Sequence, residues 1–177
     1  MFVGDVVNVP KLQVLLFVWV CYNLILISPV VKAPGFIKAQ VEKAFPDASH
    51  CSALQIRALA KYPYDGYRFS FGTKKALFCS YFSGGFKSHF DAPVGSVQNV
   101  VIPFTNFTDC NSDATGEPKP GRTCADNEEY CPDQATLEDM KVISVWGEGV
   151  AGQVHLEIHS VSAVGCSADF STLQVVQ

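Results

Sequence analysis

The chain has 177 residues, with 17 acidic and 13 basic side chains and a formal net charge of −4. That balance excludes a basic stripe for nucleic acid and a cationic patch for anionic lipid. A chain of this length is expected to hold one domain.

Residues 1–32 stand apart as a partial first strand followed by an apolar segment. From Val14 to Val31 there are 18 positions without a charge, which only just reaches the length of a membrane-crossing helix. Asn23 and Pro29 are poor residues for such a helix. As an export signal the segment lacks a net basic start, and Val31 and Ala33 would place Pro34 just after the cut. Contact with a membrane is expected only if this stretch is a real anchor.

Residues 33–170 alternate apolar and polar side chains in short runs broken by Gly, Pro, Asn and Asp, the pattern of half-buried strands. "SALQIRALAKY" sets Leu54, Ile56 and Ala58 against Gln55, Arg57 and Leu59. "YRFSFG" sets Tyr67, Phe69 and Phe71 against Arg68 and Ser70. "ALFCSYFS", "QNVVIPFT", "KVISVWG" and "QVHLEIHSVSAVG" supply further strands. "PDQATLEDM", from Pro132 to Met140, reads as one helical turn. "TDCNSDATGEPKPGRTCADNEEYC" reads as a long exposed loop stapled by cysteines and lying outside the core. Residues 171–177 are an edge strand or a tail. The expected fold is an all-β sandwich with one short helix and a long Cys-containing loop.

After the apolar segment come Cys51, Cys79, Cys110, Cys124, Cys131 and Cys166. Six cysteines suggest three disulfides in an oxidising lumen or outside the cell, against the alternative of buried free thiols. Cys124 and Cys131, close together in the loop, are the first candidates for one pair. The sequon at Asn106 is a glycosylation candidate that fits export.

His155, Glu157 and His159 fall on one strand face, where two neighbours could share a metal ion and all three would strain to do so; a solvated strand face is the expected reading. Asp109, Asn111 and Asp113 alternate like a calcium loop, but Gly116 and Pro120 break the register and the missing terminal Glu excludes an EF-hand. Tyr62, Tyr64, Tyr67 and Trp146 could stack on sugar, and Tyr67, Arg68 and Trp146 form the candidate ligand set. No catalytic, phosphate-loop or dinucleotide motif occurs, so neither an enzyme nor a cofactor is expected.

"VVIPFTNF", "ATGEP" and "LEDMKVISVWGEGVAGQVHLEIHSVSA" resemble, in that order, strands and turns of the complex I intermediate-associated protein 30 family, while "APGF" and "YDGYRFSF" resemble its mid-domain strands. The matching residues are Ile102, Pro103, Phe104, Phe107, Gly116, Trp146, Gly149, Gly152, Leu156, Ile158 and Ala163. The resemblance implies a galactose-binding-like jelly roll without catalytic residues. It also implies an assembly or interaction role toward protein subunits of a membrane complex, in a mitochondrion or plastid. A secreted or luminal carbohydrate-binding sandwich, holding a glycan, is the alternative. The front of the chain lacks the family's Trp-containing strand and "MGG-x-S" segment, so the first strands are expected to be missing. Removing Val14–Lys32 would join "FVGDVVNVPKLQ" to "APGFIKAQ". The excised stretch has the composition of translated uridine-rich intron, so we read it as a retained intron, with an anchor or an export signal as alternatives.

Overall fold

The computed structural model describes residues 36–42, 44–72, 85–113 and 115–167. The segment Val14–Lys32, the "ALFCSYFS" run with Cys79, and the tail 171–177 lie outside the described residues.

Among the described residues, seven strands form two antiparallel sheets. They are β1 (Phe36–Glu42), β2 (Ala53–Ala60), β3 (Tyr67–Phe71), β4 (Phe86–His89), β5 (Gln98–Pro103), β6 (Val142–Glu148) and β7 (Leu156–Val164). The larger sheet runs β1-β6-β3-β4 and the smaller β5-β2-β7. The chain therefore changes sheet repeatedly, as in a jelly roll, and the expected all-β sandwich is what it forms. Among the described residues one short α-helix, α1 (Gln134–Glu138), falls inside the stretch expected to be helical. Asp133 caps it, its carboxylate accepting from the Thr136 backbone N–H at 2.8 Å.

Alternation explains which faces meet. Leu54, Ile56 and Ala58 of β2 are buried while Arg57 is exposed. Tyr67, Phe69 and Phe71 of β3 point the other way into the same interior. Phe71 packs at ring-centroid distances of 4.8 Å from Phe107, 6.0 Å from Phe104 and 6.1 Å from Phe86. Each such side chain contributes roughly 1.5–3 kcal/mol by leaving water. The three phenylalanines come from β4 and the turn after β5, so their cluster holds the sheets together at that end.

Two expectations change here. The long loop was expected outside the core, yet its first residues, Thr108, Asp109, Cys110 and Asn111, are buried. The cause is pairing. Lys87 and Thr108 exchange backbone hydrogen bonds of 2.9 and 3.1 Å, which lays the start of the loop along the edge of β4. The outer face of β3, expected to be wet, is also buried: Arg68 meets Glu117 of that same loop, and Ser70 accepts from the Trp146 indole N–H.

Cys51 is joined to Cys166 and Cys124 to Cys131, the latter as expected, and Cys110 is disulfide-bonded as well. No helix among the described residues is long and apolar enough to cross a membrane.

Candidate functional site

The outer face of the larger sheet gathers the chemistry. Strand register sets Lys38 of β1 opposite Trp146 of β6, Trp146 opposite Arg68 of β3, and Arg68 opposite His89 of β4. The next row reads Gln40, Ser144, Ser70, Lys87. Four strands at about 4.8 Å spacing make each row about 14 Å long. Because side chains alternate, these residues point away from the core that Ile37, Val145, Phe69 and Phe86 help to fill.

Trp146 is the centre of the face. Its indole N–H donates to the Ser70 hydroxyl at 2.8 Å. The Lys87 ammonium sits 4.0 Å from the ring centroid and the Lys38 ammonium 4.5 Å, close enough for cation–π attraction. Phe36 lies against the same indole at 5.6 Å and is itself 65% exposed. Lys87 is buried and pairs with Glu148 at 2.6 Å. Burial, and then repulsion from Lys87, pull the Lys38 ammonium below its ordinary pKa.

Arg68 forms the link to the loop. Its guanidinium donates to the carbonyls of Asp65 and Tyr67 at 3.2 and 3.0 Å. It also contacts His89 Nδ1 and the Glu117 carboxylate. Because a guanidinium only donates, His89 Nδ1 accepts, and Nε2–H is left to donate to Asp91 Oδ1 at 2.9 Å. Gly116, beside Glu117, has φ +72°, and a Cβ there would run into the Glu148 carboxylate. The loop backbone therefore rests directly on the face.

The sequence-derived ligand set is divided by these placements. Arg68 and Trp146 share the face and are cross-strand neighbours. Tyr67 does not join them: one residue along β3 it faces the interior, 1% exposed, 5.0 Å from Tyr64 and 5.8 Å from Phe90. Its hydroxyl bonds the His155 carbonyl at 3.2 Å, and burial pushes its pKa up to about 12. Trp146 is only 5% exposed, so the exposed ring of this face is Phe36. Tyr62 is exposed, and Lys61 lies 5.4 Å from its ring. Lys38, Lys87, His89, Glu117 and Glu148 were not singled out from sequence. Glu148 could have been, since it stands two residues beyond Trp146 and so on the same face.

His155, Glu157 and His159 do line one side, with Glu157 between the imidazoles at 3.3 and 3.9 Å. These two contacts are spread along the start of β7. Among the described residues no group of three His, Cys, Asp or Glu side chains could hold a metal ion. Of the residues in the calcium-like alternation, Asp109 and Asn111 are buried while Asp113 is exposed. Asn106 is exposed at the end of a 3₁₀ turn, Phe104–Asn106.

No protein-family model matches the chain, and no curated protein sequence matches it significantly. Among solved structures it is similar to a family 11 carbohydrate-binding module from Clostridium thermocellum in complex with a beta-1,3-1,4-mixed-linked tetrasaccharide. The identity is 13%, the TM-score 0.42, and the match covers 75% of this chain and 85% of that one.

Proposed function

We propose that the protein is a non-catalytic carbohydrate-binding β-sandwich of an oxidising compartment, with the outer face of its larger sheet as the ligand face. The observation that carries this reading is the cross-strand row Lys38, Trp146, Arg68, His89, bordered by the exposed ring of Phe36. Phe36 offers an apolar surface for the flat face of a sugar, and Lys38 and Gln40, exposed beside it on β1, offer donors for its hydroxyls. The disulfides support a compartment where glycans occur, since such bonds do not persist in a reducing one.

The family resemblance points to a different role, an assembly module holding a protein subunit. Most of the residues that carry it serve packing or turns. Ile102, Phe104 and Phe107 are core side chains, Gly116 and Gly149 have positive φ, and Leu156, Ile158 and Ala163 pack against the core. They bear on fold more than on partner.

Calorimetric titration against a panel of neutral and charged oligosaccharides separates the two. The carbohydrate reading expects saturable binding that weakens about tenfold in Phe36→Ala, the loss of one stacked ring. Absence of binding to every glycan, together with co-purification of a membrane-complex subunit, would establish the assembly role instead.

A further inference from the structure

Resting on the carbohydrate-binding reading, we infer that Arg68 receives a carboxylate of the bound glycan. The ligand is then an oligosaccharide containing uronic acid, and Glu117 occupies its place in the free protein. The argument comes from how the guanidinium is divided. Nη1 is fixed from within by the Asp65 and Tyr67 carbonyls and by His89 Nδ1, which sets the plane of the group. Nη2 donates to Glu117. Nε, although buried, has no hydrogen-bond partner among the described residues.

The Nε and Nη2 hydrogens form one edge of the fork, the shape that accepts both oxygens of a carboxylate in parallel. Glu117 engages only one of the two. An incoming carboxylate that takes both satisfies a buried donor that the resting protein leaves unmet, and such donors are costly. The exposures give the direction of approach: the Arg68 side chain is 2% exposed, the Glu117 side chain 57%. Glu117 thus reaches Arg68 from the solvent side, and an ion pair with one partner so exposed is weakly held. Lys87 is not an equivalent receptor, because Glu148 already holds its ammonium at 2.6 Å. Phe36, Lys38 and Gln40, exposed along β1 on the same face, remain for the rest of the sugar.

The test is calorimetric titration of the full chain with short oligomers of galacturonate, glucuronate and mannuronate, each beside its carboxyl-reduced neutral counterpart. At least one uronate should bind more tightly than its neutral form. Glu117→Gln should tighten that binding by up to about fivefold, since it removes a screened competitor. Arg68→Lys should weaken it by roughly tenfold to a hundredfold, since it removes the bidentate fork. Near-ultraviolet circular dichroism of each variant checks the fold, and Glu117→Gln keeps the test decisive should Arg68 variants unfold. Equal binding of charged and neutral oligomers, or no tightening in Glu117→Gln, overturns the inference and leaves the carbohydrate reading standing. Binding to neither class overturns both. Binding of poly-glutamate without any uronate assigns Arg68 to a protein partner and overturns the glycan class.

Discussion

At the scale of single residues, the outer face of the larger sheet is held by charges placed where water is scarce. Lys87 and Glu148 pair at 2.6 Å with side chains 4% and 9% exposed, and the Trp146 ring lies against the ammonium. A buried pair is weak evidence for net stability, because desolvation offsets much of the attraction, but removing one partner strands the other. Lys87→Met is therefore expected to destabilise the fold by about 3–5 kcal/mol. Lys87→Met combined with Glu148→Leu should recover most of that loss, since no lone charge remains. Urea unfolding of the two variants checks this. A single variant as stable as the parent would mean that Glu148 is not confined as described.

At the scale of elements, two tyrosines near the start of β3 hold the connection from β6 to β7. Tyr64 donates its hydroxyl to the Val150 carbonyl at 3.0 Å, and Tyr67 donates to the His155 carbonyl at 3.2 Å while accepting from the His155 N–H at 3.3 Å. Burial pushes both phenols up to about 12 from an ordinary 10. A raised folded-state pKa means that stability is intact below pH 10 and is lost as pH climbs from 10 through 12. The urea midpoint should fall across that window, and the fall should be shallower in Tyr67→Phe. An equally steep fall in that variant would show that Tyr67 does not titrate with unfolding. The strands themselves were largely legible, because in β2 alternation maps directly onto burial and in β3 it picks out Tyr67, Phe69 and Phe71, the side chains that fill the core. What alternation could not reveal was the fate of the opposite face. Arg68 and Ser70 read as solvated, and both are buried: Ser70 accepts from the Trp146 indole N–H, and a loop of high turn propensity, unremarkable in its local sequence, pairs with β4 at Thr108 and meets Arg68 at Glu117. That contact joins residues 49 apart, beyond the reach of any periodicity. β4 was missed for a related reason: four residues are too short to display a pattern. Arg68 and Trp146 were found as residue types suited to a ligand. Their adjacency came from the antiparallel register of β3 and β6, which depends on tertiary pairing.

At the scale of the whole molecule, the disulfides bear on stability and on compartment together. Cys51 precedes β2 and Cys166 follows β7, so their bond closes one end of a strand pair already in register at Ala53 and Val164. In the native state it adds little that the hydrogen bonds do not supply. In the unfolded chain it ties residues 115 apart, whereas Cys124–Cys131 ties residues 7 apart. Loop-closure entropy assigns about 5 kcal/mol to the first and about 2 to the second. Replacing both Cys51 and Cys166 by Ser should therefore lower the unfolding free energy by about 2–5 kcal/mol, and by more than the same change at Cys124 and Cys131, as measured by urea titration without reductant. If the short loop proves the costlier to open, then strain or residual structure outweighs chain entropy, and the long bond is not the main constraint. The same ordering bears on the compartment. A domain deprived of the Cys51–Cys166 cross-link loses a sizeable part of a typical folding free energy of roughly 5–15 kcal/mol, so it is suited to a setting that keeps Cys51 and Cys166 joined. Peptide mapping of the natively produced protein without reductant should recover that pair intact. Finding both as free thiols would remove the support for an oxidising compartment and weaken the carbohydrate reading that draws on it.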